Sequence, residues 1–232
     1  MCYLLSRMRF CSVLKMCAAI AGVLGGAAGL CGQDASSPAA PVRAVGLPPR
    51  LSPADYQFHV QAGSVTLAAE FMGHDIPTEE GGPYFTGSYV VVEAALFGAP
   101  DAKIQLTYRD FSLRINGKKQ PVPSQAYVLV FPTMKDPAWE PPAGETERAL
   151  TSSAGGGANK PQFKPAPPQM PIELRHVMEQ RVLKASLSEG DRTLPQAGLL
   201  FFEWHGDLKN IHSMELVYSG SPGKATLALE KP

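Results

Sequence analysis

From residue 56 the chain becomes strand-like, with apolar and polar positions alternating with period two in several segments. Tyr56, Phe58 and Val60 alternate with Gln57, His59 and Gln61, and Val65, Leu67, Ala69 and Phe71 follow the same rule. Such alternation puts one set of side chains on one face of a strand. YVVVEAALF over 89–97 is the strongest strand signal in the first half, with Val90, Val92, Ala94 and Leu96 sharing a face. Ile104, Leu106 and Tyr108 alternate next, then Phe111, Leu113 and Ile115 run into Asn116-Gly117. An Asn-Gly pair after an alternating strand marks a hairpin, because both turn positions need positive φ. Pro121 and Pro123 push the return strand toward an edge or a loop. YVLVF over 127–131 reads as a further short strand. LLFFEW over 199–204, Met214/Leu216/Tyr218 and Ala225/Leu227/Leu229 close the chain as strands, the last two joined by a turn around 219–223.

One segment has the other period. Leu174, Val177, Met178, Arg181, Val182 and Ala185 sit at helical spacing, after Pro171 and before Gly190. This predicts one helix over 172–187. Between the strands, HDIPTEEGGPYFTGS (74–88) reads as a loop. Residues 132–171 hold nine prolines and four glycines in forty positions, and read as a long flexible insertion.

The N-terminus is different again. Arg7, Arg9 and Lys15 precede the uncharged run MCAAIAGVLGGAAGLCG (16–32), which is the layout of a secretory signal peptide. The run is too short and too glycine-rich for a spanning helix. Cleavage is expected after Gly32, with Gly29 as the alternative. Leu30 is too large for the position before a lipidated cysteine, which argues against lipid anchoring at Cys31. Residues 33–53, rich in Ala, Pro and Ser, read as a disordered tether. Residues 54–232 are then one domain. About 140 residues outside the tether and insertion suffice for one core. An all-β architecture is expected, an antiparallel β-sandwich with one inserted α-helix and a long Pro/Gly-rich loop.

The segments YVVVEAAL (89–96), DFSLRINGKK (110–119), AGLLFFEW (197–204) and MELVYSGSPGKATLAL (214–229) resemble the immunoglobulin-like domains of uncharacterised exported bacterial proteins. The resemblance covers about 60 to 70 per cent of the chain in coarse pattern. It implies an immunoglobulin-like fold and export, and its motifs carry no catalytic residue. The forty-residue insertion and the helix depart from the pattern.

Charge and cysteine content narrow the function. The chain has 21 basic and 21 acidic residues, so nucleic acid is not an expected partner. Removing the three basic residues of the leader leaves 18 basic against 21 acidic, a net charge of −3. All four cysteines (Cys2, Cys11, Cys17, Cys31) fall in the first 31 residues, so the body has no cysteine nucleophile, zinc site or disulfide. The near match SGSPG around Ser221 suits a turn better than a nucleophile elbow. No His-Glu-x-x-His occurs, and Asp75, Glu79 and Glu80 lack the spacing of a calcium loop. No enzyme activity and no cofactor are expected.

Two readings remain. The first is a non-enzymatic binding or assembly module of the bacterial cell envelope, periplasmic or extracellular. Its partner is a protein or another envelope component, and Trp139 and Phe163 in the insertion are the candidate contacts. The alternative is a periplasmic copper protein. Methionine and histidine occur two apart at Met72/His74, His176/Met178 and His212/Met214, and thioether and imidazole suit Cu(I). Spacing two shares a face on a strand but diverges on a helix, so His212 and Met214 are the candidate ligands.

Overall fold

The computed structural model describes residues 44–140 and 169–230. The leader, residues 33–43 of the expected tether and most of the insertion, Phe163 included, lie outside the described residues.

The protein is an antiparallel all-β structure. Its strands are β1 (Phe58–Ala62), β2 (Val65–Gly73), β3 (Asp75–Ile76), β4 (Tyr84–Thr86), β5 (Tyr89–Phe97), β6 (Lys103–Leu106), β7 (Phe111–Ile115), β8 (Val122–Gln125), β9 (Met134–Lys135), β10 (Gly190–Thr193), β11 (Gln196–Glu203), β12 (Met214–Gly220) and β13 (Gly223–Leu229). One helix, α1, spans Ile172–Ala185. Eight strands follow one another in the order β1-β2-β5-β11-β8-β7-β12-β13. The four residues of β8 turn the corner: Val122 and Pro123 pair with Leu113 and Ser112 of β7, while Ser124 and Gln125 pair with Phe202 and Phe201 of β11. The two end strands meet at their turns, where Ser64 N–H donates to Pro222 O at 3.3 Å. The sheet is therefore nearly a barrel.

The inner face carries the alternation seen in the sequence. Val65, Leu67, Ala69 and Phe71 of β2 meet Val90, Val92, Ala94 and Leu96 of β5, Leu200 and Phe202 of β11, Phe111, Leu113 and Ile115 of β7, and Met214, Leu216 and Tyr218 of β12 in one core. Asn116 and Gly117 both have positive φ, 54° and 65°, as the hairpin requires. The Asn116 side chain also accepts from His212 N–H at 2.7 Å and donates to Asn210 O at 2.8 Å. It ties the hairpin to the start of β12.

The outer face of β5 and β11 is also largely buried, as is Ala68 on the outer face of β2. Val91, Leu199 and Phe201 pack under Met178, Val182 and Ala185 of α1, together with Ile76, Tyr84 and Val130. Ala68, Ala95 and Ala197 lie under Tyr56. Tyr56 thus leaves the face of Phe58 and Val60, with which the alternation groups it, because it precedes the strand and crosses to the outer side.

Three sequence expectations change. Residues 44–53, read as tether, lie across the sheet: Gly46 N–H donates to Lys184 O at 2.9 Å and Leu47 N–H to Ala197 O at 2.9 Å. YVLVF forms two 3₁₀ turns, Tyr127–Leu129 and Phe131–Thr133. Pro132 has no N–H for a ladder and fixes φ, and only Val130 turns fully inward while Tyr127 and Phe131 stack at 5.7 Å. The 74–88 loop contains β3 and β4, which pair with each other, and β4 pairs with β9 from the start of the insertion.

One edge of β11 is completed by three separate segments. β8 pairs with residues 201 and 202, Leu187 N–H donates to Leu199 O at 3.1 Å, and Leu47 N–H reaches Ala197 O. The crossing at Leu187 needs glycine beneath it. A Cβ on Gly198 would lie 2.5 Å from Leu187 Cα and 2.7 Å from its nitrogen, and neither backbone atom can swing away. Gly198→Ala is therefore expected to destabilise the protein by about 2–3 kcal/mol, read as a lower urea midpoint at unchanged slope. Tyr218 makes the opposite case. It is fully buried against Phe111, its hydroxyl has no hydrogen-bond partner among the described residues, and burial pushes its pKa up to about 12. Tyr218→Phe removes an unpaired polar group and is expected to raise stability by about 1 kcal/mol in the same measurement.

Candidate functional site

The densest charge cluster sits where the 44–56 strap crosses the outer face. Glu70 of β2 and Glu93 of β5 are direct cross-strand partners. Like charges in that register repel. Arg50 of the strap lies between them, its guanidinium bonded to Glu70 and 3.5 Å from Glu93. The same guanidinium stands 4.4 Å from the centre of the Tyr56 ring, and its Nη1 donates to Asp55 O at 2.6 Å. Glu93 is only 7% exposed.

Burial raises the Glu93 pKa, and neighbouring Glu70 adds to this, while Arg50 and the Tyr56 hydroxyl pull it down. Burial also raises the Tyr56 pKa. Two carboxylates share one guanidinium, so one negative charge is left over. With Glu93 closed off by Arg50 and Tyr56, the arrangement is built to hold the strap on the sheet. The strap in turn caps α1, since Val45 and Gly46 N–H both donate to Lys184 O.

The residues singled out in the sequence are dispersed. Trp139 is half-buried beside a turn in which its N–H donates to Asp136 O at 3.1 Å, and it belongs to none of the core clusters. His212 is exposed just before β12, while Met214 is 2% exposed and part of the inner core. Both border a groove of about 400 Å³. His176 is exposed on α1 and Met178 is buried under it. Met72 and His74 are both half-buried and line a different groove. Ser221 occupies the two-residue turn between β12 and β13. Among the described residues, no three His, Cys, Asp or Glu side chains converge as a metal site. No described helix is long and apolar enough to cross a membrane.

Pattern reading missed two features. The first is the Arg50 cluster. The one signal for it was a single glutamate inside the apolar run YVVVEAALF, since a charge at a buried position needs a partner. The second is an exposed apolar patch. Ile172, Leu174 and Val177 of α1 are 56%, 50% and 43% exposed, and Val128 and Leu129 of the neighbouring 3₁₀ turn 51% and 53%. Leu174 and Val177 belong to the apolar stripe of the helix, but only Met178, Val182 and Ala185 are covered.

Comparison with protein-family models, with curated proteins and with solved structures finds no match for this chain.

The Arg50 cluster makes two opposed substitutions informative. Arg50→Ala leaves facing carboxylates unpaired and is expected to cost about 1–3 kcal/mol. Glu93→Gln removes the surplus charge. A carboxyl whose pKa is raised on folding holds its proton in the native state where the unfolded chain has released it. Its contribution therefore becomes less favourable as pH rises through the folded pKa. Glu93→Gln is expected to be at least as stable as wild type at pH 7, with its advantage shrinking as pH falls toward the ordinary glutamate range. Urea unfolding of the three proteins between pH 4.5 and 8 checks both statements. An advantage that grows on acidification would contradict the second.

Proposed function

We propose that this chain is a non-enzymatic binding or assembly module of the bacterial cell envelope, exported by its leader and built on an immunoglobulin-like β-sandwich. The observation that carries the reading is the exposed apolar patch. Of the seven large hydrophobic residues exposed among the described residues, five lie on the first half of α1 and the adjacent 3₁₀ turn. Scattered apolar residues are ordinary on a surface, but a contiguous group is the usual sign of a contact site. The patch adjoins a well-packed support, since Met178 and Val182 on the helix and Val130 on the turn belong to the same core cluster, with Tyr127 packed against it. It thus presents apolar side chains on elements that are already anchored, which lowers the ordering cost of binding.

Other features fit the same reading. Arg7, Arg9 and Lys15 followed by an uncharged run support export. The eight-strand order with β8 shared between two halves is compatible with two sheets of a sandwich joined at a corner. The partner is a protein or another envelope component. The site is one of recognition, and the Glu70/Glu93 pair is occupied by the chain's own Arg50.

The test is affinity capture from the protein's own envelope fraction with wild type and with the double variant Val128→Asp/Val177→Asp. Both positions are solvent-facing, so stability is expected to stay within about 0.5 kcal/mol. The captured partner is expected to be lost. Retention of the same partner by a folded double variant would overturn the reading.

A further inference from the structure

A second site, independent of the apolar patch, lies where β2 ends. β2 is irregular there: Phe71 pairs with Val92 and Gly73 with Val91, so Met72 is an extra residue in the ladder. Gly73 has φ +69°, the left-handed conformation that glycine adopts most readily. Bulges of this kind re-aim a side chain and recur beside functional sites. Here Met72 and His74 both line an open groove of about 480 Å³, whose other walls include Glu70, Asp75 and Phe85.

The imidazole is already oriented. His74 Nδ1 lies 2.6 Å from Tyr89 O. A carbonyl can only accept, so Nδ1 carries a proton and Nε2 is the nitrogen left to bind a ligand. Phe85 holds the ring edge-on at 5.5 Å. A histidine with one nitrogen bonded to a backbone carbonyl and the other bearing a lone pair is the usual state of a metal-ligating imidazole. The three Met/His pairs of the sequence differ on this point. Met178 and Met214 are buried at 3% and 2% exposure beside exposed histidines, whereas Met72, which packs against the edge of the outer-face core, is half-buried and shares one groove with the half-buried His74.

We propose that Met72 and His74 bind one Cu(I) ion, through the Met72 thioether and His74 Nε2, with a further position open to the groove. A soft thioether paired with an imidazole favours Cu(I) over the harder divalent ions. The ion is held without change of oxidation state.

The test is competition for Cu(I) against bicinchoninate under reducing conditions at pH 7. It uses the full chain with Cys2, Cys11, Cys17 and Cys31 changed to serine, so that no thiolate competes. One equivalent of Cu(I) is expected to be withdrawn from the chelator. Met72→Leu conserves volume and the fold, and is expected to weaken binding by at least about tenfold, as is His74→Gln. Met178→Leu and Met214→Leu are expected to leave affinity unchanged. X-ray absorption of the loaded protein should show one sulfur and at least one nitrogen neighbour. The proposal is overturned if the four-serine chain takes no copper from the chelator. It is equally overturned if Met72→Leu binds as wild type does, or if affinity is lost in His212→Ala and kept in His74→Gln. Loss of copper binding in Met72→Leu would leave capture through Val128 and Val177 untouched, so the two readings fail separately.

Discussion

Strand β11 has two edges, and every backbone group on them must find a partner once the strand is buried on both faces. One edge is satisfied by β5 along all eight residues of β11. The other is completed by Leu47 near one end, Leu187 in the middle and β8 near the other. Much of the remaining architecture follows from this requirement. The strap must cross the sheet for Leu47 to arrive. The chain leaving α1 must pass over Gly198 for Leu187 to arrive. The corner strand β8 must reach from β7 for its last two residues to arrive. An edge assembled from several pieces is protected against pairing with another chain, and it binds helix, strap and barrel to one another.

The strap repeats the same logic in electrostatic form. Two glutamates in direct register would ordinarily be avoided in a sheet. Here they form an acceptor for a single guanidinium, and the guanidinium belongs to the segment that covers the outer face. The charge cluster therefore contributes less to overall stability than to choosing which segment lies on the Ala68, Ala95 and Ala197 surface. Tyr56 completes the cover, packing edge-on against Phe97 at 5.9 Å.

How far the sequence revealed this depends on the kind of signal. Alternation identified the inner faces of β2, β7, β12 and β13 residue by residue, because a half-buried strand must alternate. The helix emerged within two residues of its end from its 3.6-residue spacing. The same reasoning could not see the outer face. In YVVVEAALF every interior position is buried, and alternation is silent when both faces are covered. Nor could composition tell a tether from a strap: Pro, Ala and Ser say only that a segment forms no regular element, and Arg50 acquires its role from Glu70 and Glu93 in strands far away. YVLVF is a short apolar run with no period of its own, and Pro132 directly behind it turns the run into two 3₁₀ turns instead of a strand. For the sites, spacing found three Met/His pairs, but only the bulge at Met72 and the carbonyl behind His74 distinguish one from the others.

The placement of β11 also shapes how the protein comes into being. Val92 of β5 pairs with Leu200 of β11, 108 positions later in the chain (residue 200 against residue 92). Pairing across so long a separation is slow, because a large loop must close before any contact rewards it. As the chain is made, β5 therefore exists for some time with one open edge and with Val90, Val91, Val92, Ala94, Ala95 and Leu96 ready to stack on any similar strand. Glu93 interrupts that run at its centre. A single charge in such a segment is the standard guard against sheet-like self-association. The carboxylate that burdens the finished fold is thus also the one charge in that run until β11 pairs with β5 and Arg50 reaches Glu93.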